Sequence, residues 1–238
     1  MKTVSGAKRL AGLGLATLLL VLSSVAPSHA DSTNDQALLT QLGLIRGHLH
    51  MASELTDAGD KKNASVHFHH PLKELYSAIA PELAARDIPD LGDKLRVLEK
   101  ADEAGGDLKK PLGAVLSTID LAEASITASP KLMLAAVVGL LRHAAEEYQA
   151  AYQQGTLDKL EEYQDSAGFA RKAAEIFARI RLNLSKRDPP PIRDIALAVA
   201  TLQTAWPSLN GPAKPIIDAA GVKALVDKIE QRAAAYRG

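Results

Sequence analysis

From about residue 34 to residue 236, apolar side chains recur almost without interruption at the three- and four-residue spacing of an α-helix. Nowhere do β-branched residues alternate between turn signals as a strand requires. A chain patterned this way has to bury one stripe of each helix against another helix. Ala, Leu, Val and Ile supply most of the 47% hydrophobic content, while aromatic residues make up only 4%, a composition that favours helices.

Glycine and proline divide the pattern. A first helix is predicted over 34–57, closed at Ala58-Gly59, where Gly suits a left-handed C-terminal cap. A second covers 62–85, with Pro71 and Pro81 kinking or restarting it. A third covers 91–104, stopped by Gly105-Gly106, and a fourth 108–126. Ser129-Pro130, an N-cap followed by proline at the first helical position, opens a fifth that runs to Gln154. A sixth spans 157–185. Pro189-Pro190-Pro191 reads as a stiff connector, followed by helices over 192–205 and 216–236.

The first and fifth helices echo one another. Gly43-Leu44-Ile45-Arg46 returns as Gly139-Leu140-Leu141-Arg142, and Gly59 returns as Gly155. Glu74-Leu75-Tyr76-Ser77-Ala78-Ile79 is matched by Glu175-Ile176-Phe177-Ala178-Arg179-Ile180. The expected architecture is therefore all-α: an antiparallel bundle in which two related helical hairpins form a four-helix core, over 31–188, with additional C-terminal helices, 189–238, packed on it. Gly43 and Gly47 lie one turn apart and allow another helix to approach closely.

Residues 1–30 read as a cleaved signal peptide. Lys2, Lys8 and Arg9 precede an apolar run from Leu10 to Val25, and Ser28-His29-Ala30 supplies a cleavage site after Ala30. The run is short for a spanning helix. The expected mature chain is periplasmic or secreted and not membrane-embedded. Of the 28 basic residues, these three would leave with the segment, so 25 remain against 28 acids. That mild acidity argues against a nucleic-acid partner.

The chain has no cysteine, which excludes disulfides, thiolate metal sites, iron–sulfur clusters and covalently attached haem. It has seven histidines, six of them beyond Ala30, and five of those six (His48, His50, His67, His69 and His70) lie within one predicted hairpin. On a helical wheel His48 falls inside the apolar arc of Leu38, Leu42, Ile45, Leu49 and Ala52, whereas His50 points to the polar side. His67, His70 and Glu74 stack on one side of the second helix, although Pro71 leaves their facing open. The fifth helix adds His143 and Glu147, and the sixth adds Glu162, Asp165 and Ser166 one turn apart.

If the hairpins pack face to face, His48, His67, His70, His143, Glu147 and Glu162 form a candidate ligand set for a transition metal ion such as zinc, iron or copper. Its affinity is expected to fall as pH drops through about 6, where imidazole protonates. The bland reading of each residue is a buried structural histidine or a solvated ion pair, and the clustering is what weighs against it. No G-x-S-x-G elbow, S-x-x-K motif, phosphate loop, dinucleotide fingerprint or EF-hand occurs.

The sequence thus points to an exported helical metal-binding protein, a carrier or chaperone or the soluble part of a metal uptake or resistance system, partnered by a membrane transporter or sensor. The alternative is a metal-free envelope adaptor or sensor acting through helix surfaces. A redox bundle holding di-iron, or haem on His48 or Met51 and His143, lacks paired E-x-x-H motifs and aromatic residues. No catalytic residue stands out.

Overall fold

The computed structural model describes Met1, residues 29–186 and residues 189–236. The expected signal segment lies almost wholly outside the described residues. All regular structure among the described residues is helical, and no helix there is long and apolar enough to cross a membrane.

The helices are α1 (His29–Asp57), α2 (Lys61–His70), α3 (Tyr76–Ala84), α4 (Leu91–Glu103), α5 (Lys109–Ala124), α6 (Pro130–Ala151), α7 (Leu160–Ser185), α8 (Pro189–Leu202) and α9 (Ala219–Ala235). A π-helical turn, Pro71–Leu75, joins α2 to α3, and a 3-10 turn, Gln203–Ala205, follows α8.

The central element is α1. Every residue from 42 to 49 is buried, which fits a helix enclosed on all sides rather than one with a single apolar stripe. Helices α2, α5, α6 and α7 all pack on it. The hairpin α6–α7 lies along α1, α9 packs on α6, α8 on α7, and α4 and α5 pair beside α2 and α1. This is an all-α helical bundle in which the α1–α2 and α6–α7 hairpins meet and C-terminal helices cover one side. Gly59 (φ 83°) and Gly155 (φ 75°) both adopt the left-handed conformation in the turns that close the two hairpins. The echoed glycines also face one another's helix. A Cβ on Gly43 would sit 3.0 Å from Leu140, and one on Gly139 would sit 2.7 Å from Thr40 Oγ1.

Two local expectations change. Pro189, Pro190 and Pro191 form the first turn of α8 rather than a connector. The first N–H groups of a helix have no intrahelical acceptor, so three residues without N–H cost nothing there, and proline's fixed φ suits the turn. In the second predicted helix, Pro71 neither breaks nor simply kinks the chain. It widens one turn into a π-helix, closed by the Tyr76 N–H donating to the Pro71 carbonyl.

The segment between α8 and α9 is pinned by aromatic residues. The hydroxyls of Tyr163, Tyr152 and Tyr148 donate to the carbonyls of Ser208, Pro212 and Ile217 at 2.9, 3.0 and 2.9 Å. Trp206 packs edge-on against Tyr148. This fixes the backbone of residue 209 beside α7, which matters for the site.

Candidate metal centre

Helices α1 and α7 touch through their backbones. Gly47 and Gly168 face each other so closely that a Cβ on Gly168 would lie 2.6 Å from the Gly47 carbonyl oxygen. On α1 the residue after this seam is His48. On α7 the residue one turn before it is Asp165, and the Ser166 hydroxyl anchors that turn to α6 by donating to the Ala144 carbonyl at 2.6 Å. Three consecutive polar residues, Gln164, Asp165 and Ser166, are buried here, at 0, 4 and 0% exposure. In an interior of Ala, Leu and Tyr each of them needs a partner.

Asp165 finds three imidazoles. His48 Nδ1 and His67 Nδ1 each lie 2.7 Å from its Oδ1, and His70 Nδ1 lies 3.3 Å from its Oδ2. One ligand atom from each of the four residues falls within 4.8 Å of all the others, and all four side chains are buried. The rings pack without stacking flat: His48 meets His70 and Phe169 edge-on, at centroid separations of 5.0 and 4.9 Å.

Surrounding groups hold the outer nitrogens of two of the rings. The Gln164 amide donates to the Leu209 carbonyl at 3.2 Å, so its oxygen faces His67 and accepts from His67 Nε2–H at 3.0 Å. Its Nδ1 faces the cluster, at hydrogen-bond distance, 2.7 Å, from Asp165 Oδ1. His70 repeats the arrangement, with Nε2 2.8 Å from Glu161 Oε1 and Nδ1 inward. Imidazoles whose outer nitrogen is held by an oxygen acceptor are oriented as metal ligands are. Replacing Gln164 by Ala strands the His67 N–H. We expect metal affinity to fall about 10–100-fold and stability by about 1–3 kcal/mol, measured by chelator competition and urea unfolding.

The cluster carries a buried negative charge that its neighbours must balance. His48 Nδ1 and His70 Nδ1 are buried and have no hydrogen-bond partner, despite their nearness to Asp165. Burial depresses the His48 pKa against the pull of Asp165. Burial works against charge on His70 too, but Asp165, Glu74 and Glu161 outweigh it and raise its pKa to about 9. Asp165 resists its own burial through the neighbouring imidazoles and is held below the usual carboxylate range. The buried carboxylate therefore stays ionised, and in the metal-free protein a proton on His70 balances it. Three imidazole nitrogens and one carboxylate form a donor set suited to zinc, iron or copper.

Of the residues singled out from sequence, His48, His67 and His70 are brought together. Glu147 and Glu162 lie close to each other and near Asp165. Burial first, then the neighbouring Glu162 carboxylate, raise the Glu147 pKa to about 8. They stand beside the four-residue cluster and not within it. His143 does not join. It lies at the margin of the buried α6 stripe, 41% exposed, with Nδ1 3.5 Å from Glu146. Asp165, grouped with Glu162 and Ser166 in the sequence, is the carboxylate that α7 contributes. The available signal was Gly168: a residue three positions before a glycine seam faces the same helix as the seam. A cavity of about 760 Å³ lies on the other side of α2, against Ala64, Ser65 and Phe68, and none of the four cluster residues lines it.

Fold and site define a helical bundle with a buried histidine–aspartate cluster. Residues 122–238 match the family model of the iron permease-associated 4-helix bundle domain. That stretch takes in the end of α5 and α6 to α9 and supplies Gln164 and Asp165, whereas the three histidines precede it. Comparisons with curated proteins and with solved structures gave no match.

Proposed function

We propose that this protein is an exported component of an iron uptake system. It holds an iron ion as cargo between His48, His67, His70 and Asp165, and delivers it to a membrane permease. The observation that carries the reading is the convergence of three imidazoles from one hairpin on a single buried carboxylate. That carboxylate belongs to a segment that matches a domain family described as iron permease-associated. Export rests on the basic, apolar and small-residue pattern of residues 1–30. Glu147 and Glu162 are outer carboxylates of the same site, and His143 has no part in it.

Binding must displace the His70 proton. Apparent affinity should therefore rise about tenfold per pH unit up to about 9 and then level off. The window lies higher than the fall near pH 6 expected for ordinary imidazoles. The same pair stabilises the metal-free fold. Because the folded pKa lies above the ordinary 6.5, this contribution is complete below 6.5 and is lost as pH rises through about 9. Anaerobic calorimetry with Fe2+ between pH 6 and 10 reads both affinity and proton release. Comparing the full chain with a His67→Ala/His70→Ala variant, its fold verified by circular dichroism, tests the assignment. Equal and negligible binding by both would sink it.

A further inference from the structure

The cluster is closed to water, yet one of its members reaches outward. His48, His67 and Asp165 are 2, 0 and 4% exposed. Among the described residues, the ion pairs of the cluster lead to the surface only through His70. Its Nε2 lies 2.8 Å from Glu161 Oε1 and 3.9 Å from Glu74 Oε1, and these carboxylates are about half exposed, at 52 and 46%. On its inner side His70 Nδ1, like His48 Nδ1, is buried without a hydrogen-bond partner.

The backbone singles out the same residue. His48 and Asp165 sit deep inside long helices. His70 ends α2, and Pro71 after it has no N–H to donate to the carbonyl one turn back. The next turn is the π-helical one, and it carries Glu74. Such turns interrupt the regular hydrogen-bond ladder and are common at functional sites. His70 is thus the ligand at a break in its helix, poised between the buried carboxylate and two solvated ones.

We propose that Glu74 and Glu161 form the loading port of the metal centre and that His70 is its gate. A hydrated divalent cation first exchanges water for the carboxylate oxygens of Glu74 and Glu161. His70 then carries it inward to His48, His67 and Asp165. The inference rests on the metal-binding reading above and adds a route and a direction to it. Glu74 is the diagnostic residue. At 3.9 Å it does not hold His70 by a hydrogen bond; it reaches the bound state only through its charge, and its main action is on passage. A group that lowers a barrier speeds travel in both directions.

Stopped-flow mixing of the full chain with Fe2+ under anaerobic conditions, with release followed by chelator capture, tests this. Glu74→Gln should slow uptake and release together by about tenfold and flatten the dependence of uptake on salt, with any change in Kd smaller than the change in either rate. Adding Glu161→Gln should slow uptake further and also weaken binding, because Glu161 orients His70. Glu146→Gln, an exposed change beside His143, should leave both rates as they are. Uptake by Glu74→Gln at the wild-type rate, or equal slowing by Glu146→Gln, overturns the port. A wild-type protein that binds no Fe2+ overturns the metal-binding reading itself.

Discussion

Changing Asp165 to Asn should cost metal affinity more than about 100-fold, because even the groups that merely orient metal ligands are worth roughly 10–100-fold. Asn keeps the shape and one acceptor oxygen but removes the charge on which three imidazoles converge. The metal-free protein should also weaken. Removing one partner of a buried ionic arrangement leaves the other uncompensated, typically at about 3–5 kcal/mol. Here the loss is moderated by Glu161 and Glu74, which still face His70. The pH dependence identifies the cause. With Asp165 gone, the His70 pKa should drop from about 9, so the difference in stability between wild type and variant is large near neutrality and shrinks above pH 9. Urea unfolding at several pH values and titration of the imidazole Cε1 protons by NMR would show it. Wild-type affinity in the Asn variant would falsify the assignment of Asp165 as a ligand.

The second large effect concerns the seam. A methyl group on Gly168 would meet the Gly47 carbonyl oxygen at 2.6 Å and its carbon at 3.0 Å, and a methyl group on Gly47 would meet Phe169 at 2.7 Å and the Gly168 backbone at 3.1 Å. Backbone cannot swing aside as a flexible side chain can, so the helices must separate. Gly168→Ala should destabilise by about 1–3 kcal/mol through overpacking. It should also weaken metal binding, because His48 and Asp165 are carried on the two helices being pushed apart. Gly113→Ala is the control. That glycine lies inside α5 with open space around it, and the change should stabilise by about 0.5–1 kcal/mol without touching the metal. Denaturant midpoints and metal titrations of the three proteins decide the matter. Unchanged binding in a destabilised Gly168→Ala would show that the site tolerates the separation.

The contrast between these residues shows how far the sequence could be read. Helix positions were legible because they depend on local chemistry. Ser129 caps α6 by accepting from the Leu132 N–H, and the glycines of the turns at 59 and 155 took the left-handed conformation their positions implied. The inward face of α1 was legible because Leu38, Leu42, Ile45 and Leu49 form a continuous stripe, which placed His48 in the interior. Helix α7 gave no such guide. From 163 to 170 it is buried on every side, so its own pattern does not say which of Glu162, Asp165 and Ser166 faces the histidines. That is decided by where α1 touches it, which is a property of two glycines 121 positions apart in the chain. The prolines at 189–191 misled for a related reason. Proline is excluded from helix interiors but not from first turns, and only the fold shows which of these a run of three occupies. At Pro71 the same residue type begins a π-turn, which the local sequence does not distinguish from a kink or a break.

The division of the histidine–aspartate cluster between two stretches of chain has a mechanical meaning. Its imidazoles come from residues 48–70, and its carboxylate from the segment 122–238 that matches the iron permease-associated family. A metal ion bound there is a removable rivet between the two. Its binding energy is spent holding the first hairpin against α7, and the joint strengthens with the logarithm of free ion concentration over Kd. On the function proposed above, loaded and empty protein should then differ in how firmly that hairpin is clamped. A polypeptide made of residues 122–238 alone would keep the carboxylate and lose the rivet.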